Sequence, residues 1–337
     1  MTLPKAQHIP VLVSLRGLAA LMVVLFHFVV KTKDFIDAEL ARQFFGKGHF
    51  GVQIFFVISG VVIPLSLINA HYKFNQIGKF LWKRCIRIEP PYLAAIGLAL
   101  IYLYGRDLIP GTISSDFKPG IKDVLLHLGY LVPFVDNARW ISDVFWTLAI
   151  EFQYYLLIAI TIPLALSRFE SIKWLLFTSF AISAFLPLED KWLFHWSPIF
   201  LAGILFAFYY CQRISSRSYI ASQLVCFVII YYKLGASNFI AALVPVVVLH
   251  LWPSYRTKLS NYFGEISYSL YLIHMITGGA VVNYLSHHAN APWHCFLIVC
   301  LGLAIAVISS HFFHRFIETP SQRLAQKITY KSKAVSQ

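Results

Sequence analysis

Residues Ile9–Val30 read IPVLVSLRGLAALMVVLFHFVV, an apolar run in which Ser14, Arg16 and His27 are the polar side chains. A helix needs about 20 residues to cross the hydrocarbon layer of a bilayer, so this run is long enough. It has no convincing cleavage site and carries Arg16 inside it, which predicts a retained membrane helix that also targets the chain rather than a removed signal peptide. Similar runs follow at Phe50–Ile68, Pro91–Tyr104, Val144–Leu166, Trp174–Leu188, Trp196–Tyr210, Tyr219–Tyr232, Asn238–Trp252, Ile266–Leu285 and Trp293–Phe313. The expectation is an all-α, polytopic transmembrane helix bundle of about ten spans. It forms a single domain over 1–320, with a short basic tail at 321–337.

Composition supports lipid as the solvent. The 337 residues are 58% hydrophobic and 13% charged, and the second figure is about half the charged share of a soluble domain. Surfaces of a soluble fold this long could not be clothed with so few charges. The net charge of +13 would suit a nucleic-acid binder, but the cations sit in clusters between apolar runs rather than along one stripe. No nucleic-acid partner is expected. Lys79, Lys83, Arg84 and Arg87, then Arg315, Arg323, Lys327, Lys331 and Lys333, all fall on one side if Lys5 does too. The positive-inside rule then puts both termini in the cytoplasm and the long loop Arg106–Asp143 outside. Within that loop Ile121–Phe134 is apolar but too short to span, which suits an interfacial or re-entrant helix.

Cys85, Cys211, Cys226, Cys295 and Cys300 are an odd, scattered set with no disulfide or metal-site spacing. The adjacent His287–His288 pair lacks acidic or thiol support, so no metal site is expected.

Two charges lie at depth. Arg16 is the lone cation well inside a span and Glu151 the lone acid. Such groups are costly in lipid and face a polar cavity or a partner; the plainer role is an ion pair or hydrogen bond that pins helix packing. Arg16 and His27 stand eleven residues apart. Eleven steps return an α-helix to within about 20° of its starting face, roughly 16 Å further along, so both can address one interior cavity. Glu151, entering from the outer side, reaches a depth near His27, where a carboxylate could hold the imidazole's tautomer. Such a pair could serve as general base for a sugar hydroxyl. A histidine at a helix end is more often a hydrogen-bonded packing group, and His274 has the same plain reading. Small residues Ser59 and Gly60 equally suit close helix packing. Lys83, Arg84 and Arg87 before Pro90-Pro91 are either positive-inside anchors or a cradle for phosphates.

Six collinear segments together resemble acyltransferase family 3, integral-membrane O-acyltransferases of bacterial cell-surface sugars. They are Leu15-Arg16-Gly17-Leu18-Ala19-Ala20 followed by Phe26-His27; Phe55-Phe56-Val57-Ile58-Ser59-Gly60; Arg84-Cys85-Ile86-Arg87-Ile88-Glu89-Pro90; Trp146-Thr147-Leu148-Ala149-Ile150-Glu151-Phe152-Gln153-Tyr154-Tyr155; Ile266-Ser267-Tyr268-Ser269-Leu270-Tyr271-Leu272-Ile273-His274; and Glu318-Thr319-Pro320. Each is weak alone; six in order are strong. The sequence departs from the family pattern at Gln53, where an acid is common, at Phe152, where a second Glu is common, and at Glu89, where a Tyr is common.

The resemblance implies an O-acetyltransferase in the bacterial inner membrane that takes acetyl, or another short acyl group, from acyl-CoA as donor substrate with no bound cofactor. The acceptor would be a hydroxyl of O-antigen, exopolysaccharide or another cell-surface or lipid-linked carbohydrate. It implies His27, Glu151 and Arg16 as catalytic residues. Arg84, Arg87 and Lys83 would handle the donor, with Ser59, Gln53 and Trp146 completing the substrate site. The rival class is a transporter or flippase in which Arg16, His27 and Glu151 relay ions or protons.

Overall fold

The computed structural model describes residues 9–32, 35–36, 38–108 and 117–330. Lys5, part of the outer loop (109–116) and the Lys331 and Lys333 end of the basic tail lie outside the described residues. The chain is all-helical, with no strand among the described residues. Its helices are α1 Val11–Phe26, α2 Glu39–Gly46, α3 Gly51–Asn69, α4 Ile77–Gly105, α5 Ile121–Leu128, α6 Trp146–Ala165, α7 Glu170–Ile182 and α8 Leu193–Tyr210. They continue with α9 Ser216–Leu234, α10 Ala236–Leu251, α11 Lys258–Glu265, α12 Ser267–Ile273, α13 Gly278–Ser286, α14 Pro292–Phe313 and α15 Thr319–Gln326.

Among the described residues, six continuous helical stretches are long and apolar enough to cross a membrane: Val11–Lys31, Glu39–Asn69, Phe74–Leu108, Asp143–Ala165, Leu193–Tyr210 and Pro292–Gln326. This is a membrane protein, and six of the ten expected spans meet that length and apolarity among the described residues. The difference has visible causes. The run expected at Trp174–Leu188 forms only the 13-residue α7. That expected at Asn238–Trp252 forms the 16-residue α10. Ile266–Leu285 is not one helix: it breaks after Ile273, and Thr277 leaves helical geometry (φ −111°, ψ −90°) before α13 begins at Gly278. Hydropathy reports transfer to lipid, whereas a helix also needs an unbroken hydrogen-bond ladder.

The centre of the bundle is α3, which packs most extensively against α8. They approach so closely at Gly60 and Gly203 that a Cβ on Gly60 would strike the Phe200 carbonyl and one on Gly203 the Val57 carbonyl. Small residues permit such backbone contact, which supplies the dispersion and weak hydrogen bonding that hold helices together in lipid. Helix α1 lies against α3, α11 and α12, and α15 folds back onto α4. These neighbours leave a space among α1, α3, α4, α6 and α12, close to the middle of the bundle.

Candidate active site

Five helices and one irregular turn send polar groups into that space, which forms a cavity. Arg16 comes from α1, Ser59 from α3, Arg84 and Arg87 from α4, Glu151 and Tyr155 from α6, and Tyr268 and Tyr271 from α12. Glu318 closes it from the π-helical turn His314–Glu318 that follows α14. Apolar walls come from Val52, Phe55, Ile58 and Leu148.

The charges in this cavity do not neutralise one another directly. Glu151 Oε1 accepts hydrogen bonds from Tyr155 Oη at 2.6 Å and Ser59 Oγ at 3.2 Å. Glu318 is buried and fully engaged: Oε2 accepts from Ser269 Oγ at 2.6 Å and from His314 Nδ1 at 3.0 Å, and Oε1 from Gln322 Nε2 at 2.7 Å. Among the described residues no ion pair joins a carboxylate to Arg16, Arg84 or Arg87. Arg84 rests over the rings of Phe80 and Tyr155, at 5.4 and 5.3 Å. Three guanidiniums thus line a cavity whose two carboxylates accept from hydroxyl, imidazole and amide groups. Guanidinium presents a planar fork of donors suited to carboxylate or phosphate, so the arrangement is built for an anion.

His27 is not on the wall of this cavity. The α-helix that carries Arg16 ends at Phe26, and His27 opens a π-helical turn, His27–Lys31. Such turns interrupt regular side-chain spacing and recur at functional sites. His27 Nδ1 lies 2.8 Å from the Val23 carbonyl and 3.2 Å from Nε2 of His274, the ring centroids being 5.0 Å apart. The expected contact between His27 and Glu151 is therefore replaced by two separate sets. Glu151 holds Ser59 and Tyr155, while His27 holds Val23 and His274. Tyr271 links the two sets, since its ring lines the cavity and stands 6.3 Å from that of His274. Its hydroxyl is anchored to Thr147 Oγ1 at 2.7 Å and the Val144 carbonyl at 3.0 Å.

Three other expected residues also lie off the cavity. Lys83 Nζ donates to the Ile328 carbonyl at 3.1 Å and sits over the Tyr330 ring, so it ties α4 to the C-terminal segment. Gln53 is buried with its amide group against the His49 and Phe50 carbonyls at 3.3 Å and the Asn238 side chain at 3.0 Å, a packing role between α3 and α10. Trp146 packs on Trp196, ring centroids 6.0 Å apart. Glu318, Tyr155, Tyr268 and Tyr271 stand in the cavity without having been singled out, although each lies in a motif quoted above. Among the described residues no group of three His, Cys, Asp or Glu side chains converges to hold a metal.

The cavity and its cations give the comparisons with known proteins a physical setting. A family described as an acyltransferase domain matches residues 12–311. O-acetyltransferase OatA of Staphylococcus aureus is 30% identical over 185 residues, a stretch covering 49% of this chain and 26% of that protein. The chain therefore spans about a quarter of the length of that relative. Acyltransferase MdmB of Streptomyces mycarofaciens is 22% identical over 95% of this chain and 93% of its own length. A putative acetyltransferase, ORF330 of Acidianus two-tailed virus, is 26% identical over 79% and 82%. No solved structure gives a significant match. With a match across nearly the whole bundle and every cavity-lining motif but the last inside it, the chain belongs to acyltransferase family 3.

Proposed function

We propose that this protein moves an acetyl or other short acyl group from acyl-CoA onto a hydroxyl of a cell-surface or lipid-linked carbohydrate in the bacterial cytoplasmic membrane. The observation that carries the reading is the cavity with three guanidiniums and, among the described residues, no carboxylate in an ion pair with them. A nucleotide-tailed thioester supplies the missing negative charge through its phosphates. Arg84, Arg87 and Arg16 are the donor-binding groups, and Lys83, committed to the C-terminal segment, braces α4 from behind.

The acceptor hydroxyl gives its proton to His27 as its oxygen attacks the thioester carbonyl. A tetrahedral intermediate forms, the C–S bond breaks, and the departing thiolate takes the proton from the imidazolium. No proton is gained or lost overall. Direct attack is favoured because no cysteine lines the cavity. Ser59, the serine on the cavity wall, whose hydroxyl donates to Glu151, would be the transient carrier in the alternative route. A proton relay through Arg16, His27 and Glu151 would require a continuous path, and Glu151 ends instead on two hydroxyls.

Reconstitution of the purified protein in proteoliposomes tests the reading. Labelled acetyl-CoA on one side and a bacterial glycan fraction on the other should give labelled ester on the glycan, and His27→Ala should abolish it. Movement of solute without ester formation would establish a transporter instead.

A further inference from the structure

Every nitrogen of the His27–His274 pair can be assigned a proton or a lone pair from its neighbours alone. Nδ1 of His274 lies 2.9 Å from the Tyr271 carbonyl and 3.0 Å from that of Leu270. Carbonyl oxygens only accept, so this nitrogen carries hydrogen. Nδ1 of His27 faces the Val23 carbonyl at 2.8 Å and carries hydrogen for the same reason. These two facts fix the contact between the rings. Nε2 of His274, 3.2 Å from Nδ1 of His27, meets an N–H and must present a lone pair, because a second N–H there would set two donors head to head. Nε2 of His27 is then the one proton-accepting atom of its ring.

We infer that His274 is a positioning residue that accepts from the Nδ1–H of His27 alongside the Val23 carbonyl and stabilises the protonated form of His27, a role that rests on His27 being the base proposed above. In many enzymes a carboxylate holds the base in this way. Here a neutral imidazole does so. When His27 takes the acceptor's proton on Nε2, its Nδ1–H becomes a stronger donor to the waiting lone pair of His274, and charge-assisted hydrogen bonds are roughly twice as strong as neutral ones. No charged partner has to be buried for this.

The fold supports the role. His274 is fully buried and stands where the α12–α13 span breaks, so its ring is held by the end of α12 rather than by a regular turn. Phe28 and Tyr271 flank it, with ring centroids 6.2 and 6.3 Å away. Without the His27 N–H, Nε2 of His274 would be a buried acceptor with no donor among the described residues, a costly arrangement.

The test combines a spectroscopic and a kinetic readout on the full-length protein in nanodiscs. With ¹⁵N-labelled histidine, the His27 signals, assigned by difference against His27→Gln, should report a single Nδ1–H tautomer in the wild type. His274→Phe keeps a ring but removes the acceptor, and should move the His27 Nδ1–H proton signal upfield while the Val23 carbonyl keeps the tautomer. Its kcat should fall about 100-fold, with KM for acetyl-CoA unchanged. His274→Gln keeps an amide donor for the carbonyls and an oxygen acceptor for His27, and should restore both the downfield Nδ1–H signal and most of kcat. A folded His274→Phe protein with wild-type His27 signals overturns the inference, as does a His274→Gln protein no better than Phe. If the wild type transfers no acyl group at all, the proposed function fails, and the Nδ1–H signal still decides whether His274 holds His27.

Discussion

At Arg16 function and stability pull in opposite directions. A guanidinium held at membrane depth with no carboxylate in an ion pair among the described residues destabilises the ligand-free protein, and Arg84 and Arg87 share its cavity. Arg16→Met should therefore raise the apparent melting temperature of the ligand-free protein in detergent. The same change removes a charged hydrogen bond to the donor, worth about 1.5–3 kcal/mol, so the Kd for acetyl-CoA should rise roughly 10- to 100-fold. A lower melting temperature together with unchanged donor binding would show Arg16 to be a structural pin. The sequence made Arg16 and Glu151 visible because a charge in an apolar run stands out whatever surrounds it. Glu318 was not visible in this way, since its burial comes from the π turn after α14 and from Ser269 on α12. Lys83 and Arg84 look alike in a string of letters. They are adjacent on α4 and so point about 100° apart, and one reaches the C-terminal segment while the other reaches the cavity.

Among the elements, the outer loop shows how a short apolar segment is held. Helix α5 exposes Ile121 and Leu125 on one side, as an interfacial helix would, and buries His127. His127 Nδ1 donates to the Asp123 carbonyl at 2.6 Å, and Nε2 accepts from the Ile141 N–H at 3.0 Å, clasping α5 to the strand of loop before α6. Burial pushes this imidazole below its ordinary pKa of 6.5. The unfolded loop thus binds a proton more readily than the folded one, so the clasp contributes fully above about pH 6.5 and weakens as pH falls below it. The protection factor of the Ile141 amide, which corrects for the intrinsic exchange rate at each pH, should be high at pH 7.5 and clearly lower at pH 5.5, and a His127→Gln variant should lose the pH dependence. Equal protection at both pH values would show that the clasp does not govern the loop. A second element prediction concerns Gly60. Any side chain there meets the Phe200 carbonyl, so Gly60→Val should separate α3 from α8 and cost about 1–3 kcal/mol, read as a drop in melting temperature. The helix types and most boundaries were legible from apolar runs and their flanking charges. The break after Ile273 was not, because Ile266–Leu285 contains no proline to announce it.

For the whole molecule the open physical question is which end of the bundle the donor enters, and the answer is tied to where the C-terminus lies. The segment after α15 is attached to α4 beside the cation cluster, through Lys83 to Ile328 and through Gln76 Nε2 to the Tyr330 carbonyl at 2.6 Å. The guanidinium side of the cavity and the C-terminal segment therefore share one face of the membrane. Acyl-CoA is made in the cytoplasm, so a donor site requires that face to be inner, as the distribution of lysine and arginine predicts. Two exposed lysines report on this: Lys327 at the end of α15 and Lys122 on α5. In a background with the five cysteines replaced, Lys122→Cys should react with a membrane-impermeant maleimide on intact cells. Lys327→Cys should react only after the membrane is opened. The reverse pattern would place Arg84 and Arg87 outside, beyond reach of cytoplasmic acyl-CoA, and the cavity's three guanidiniums would then call for a different anion altogether.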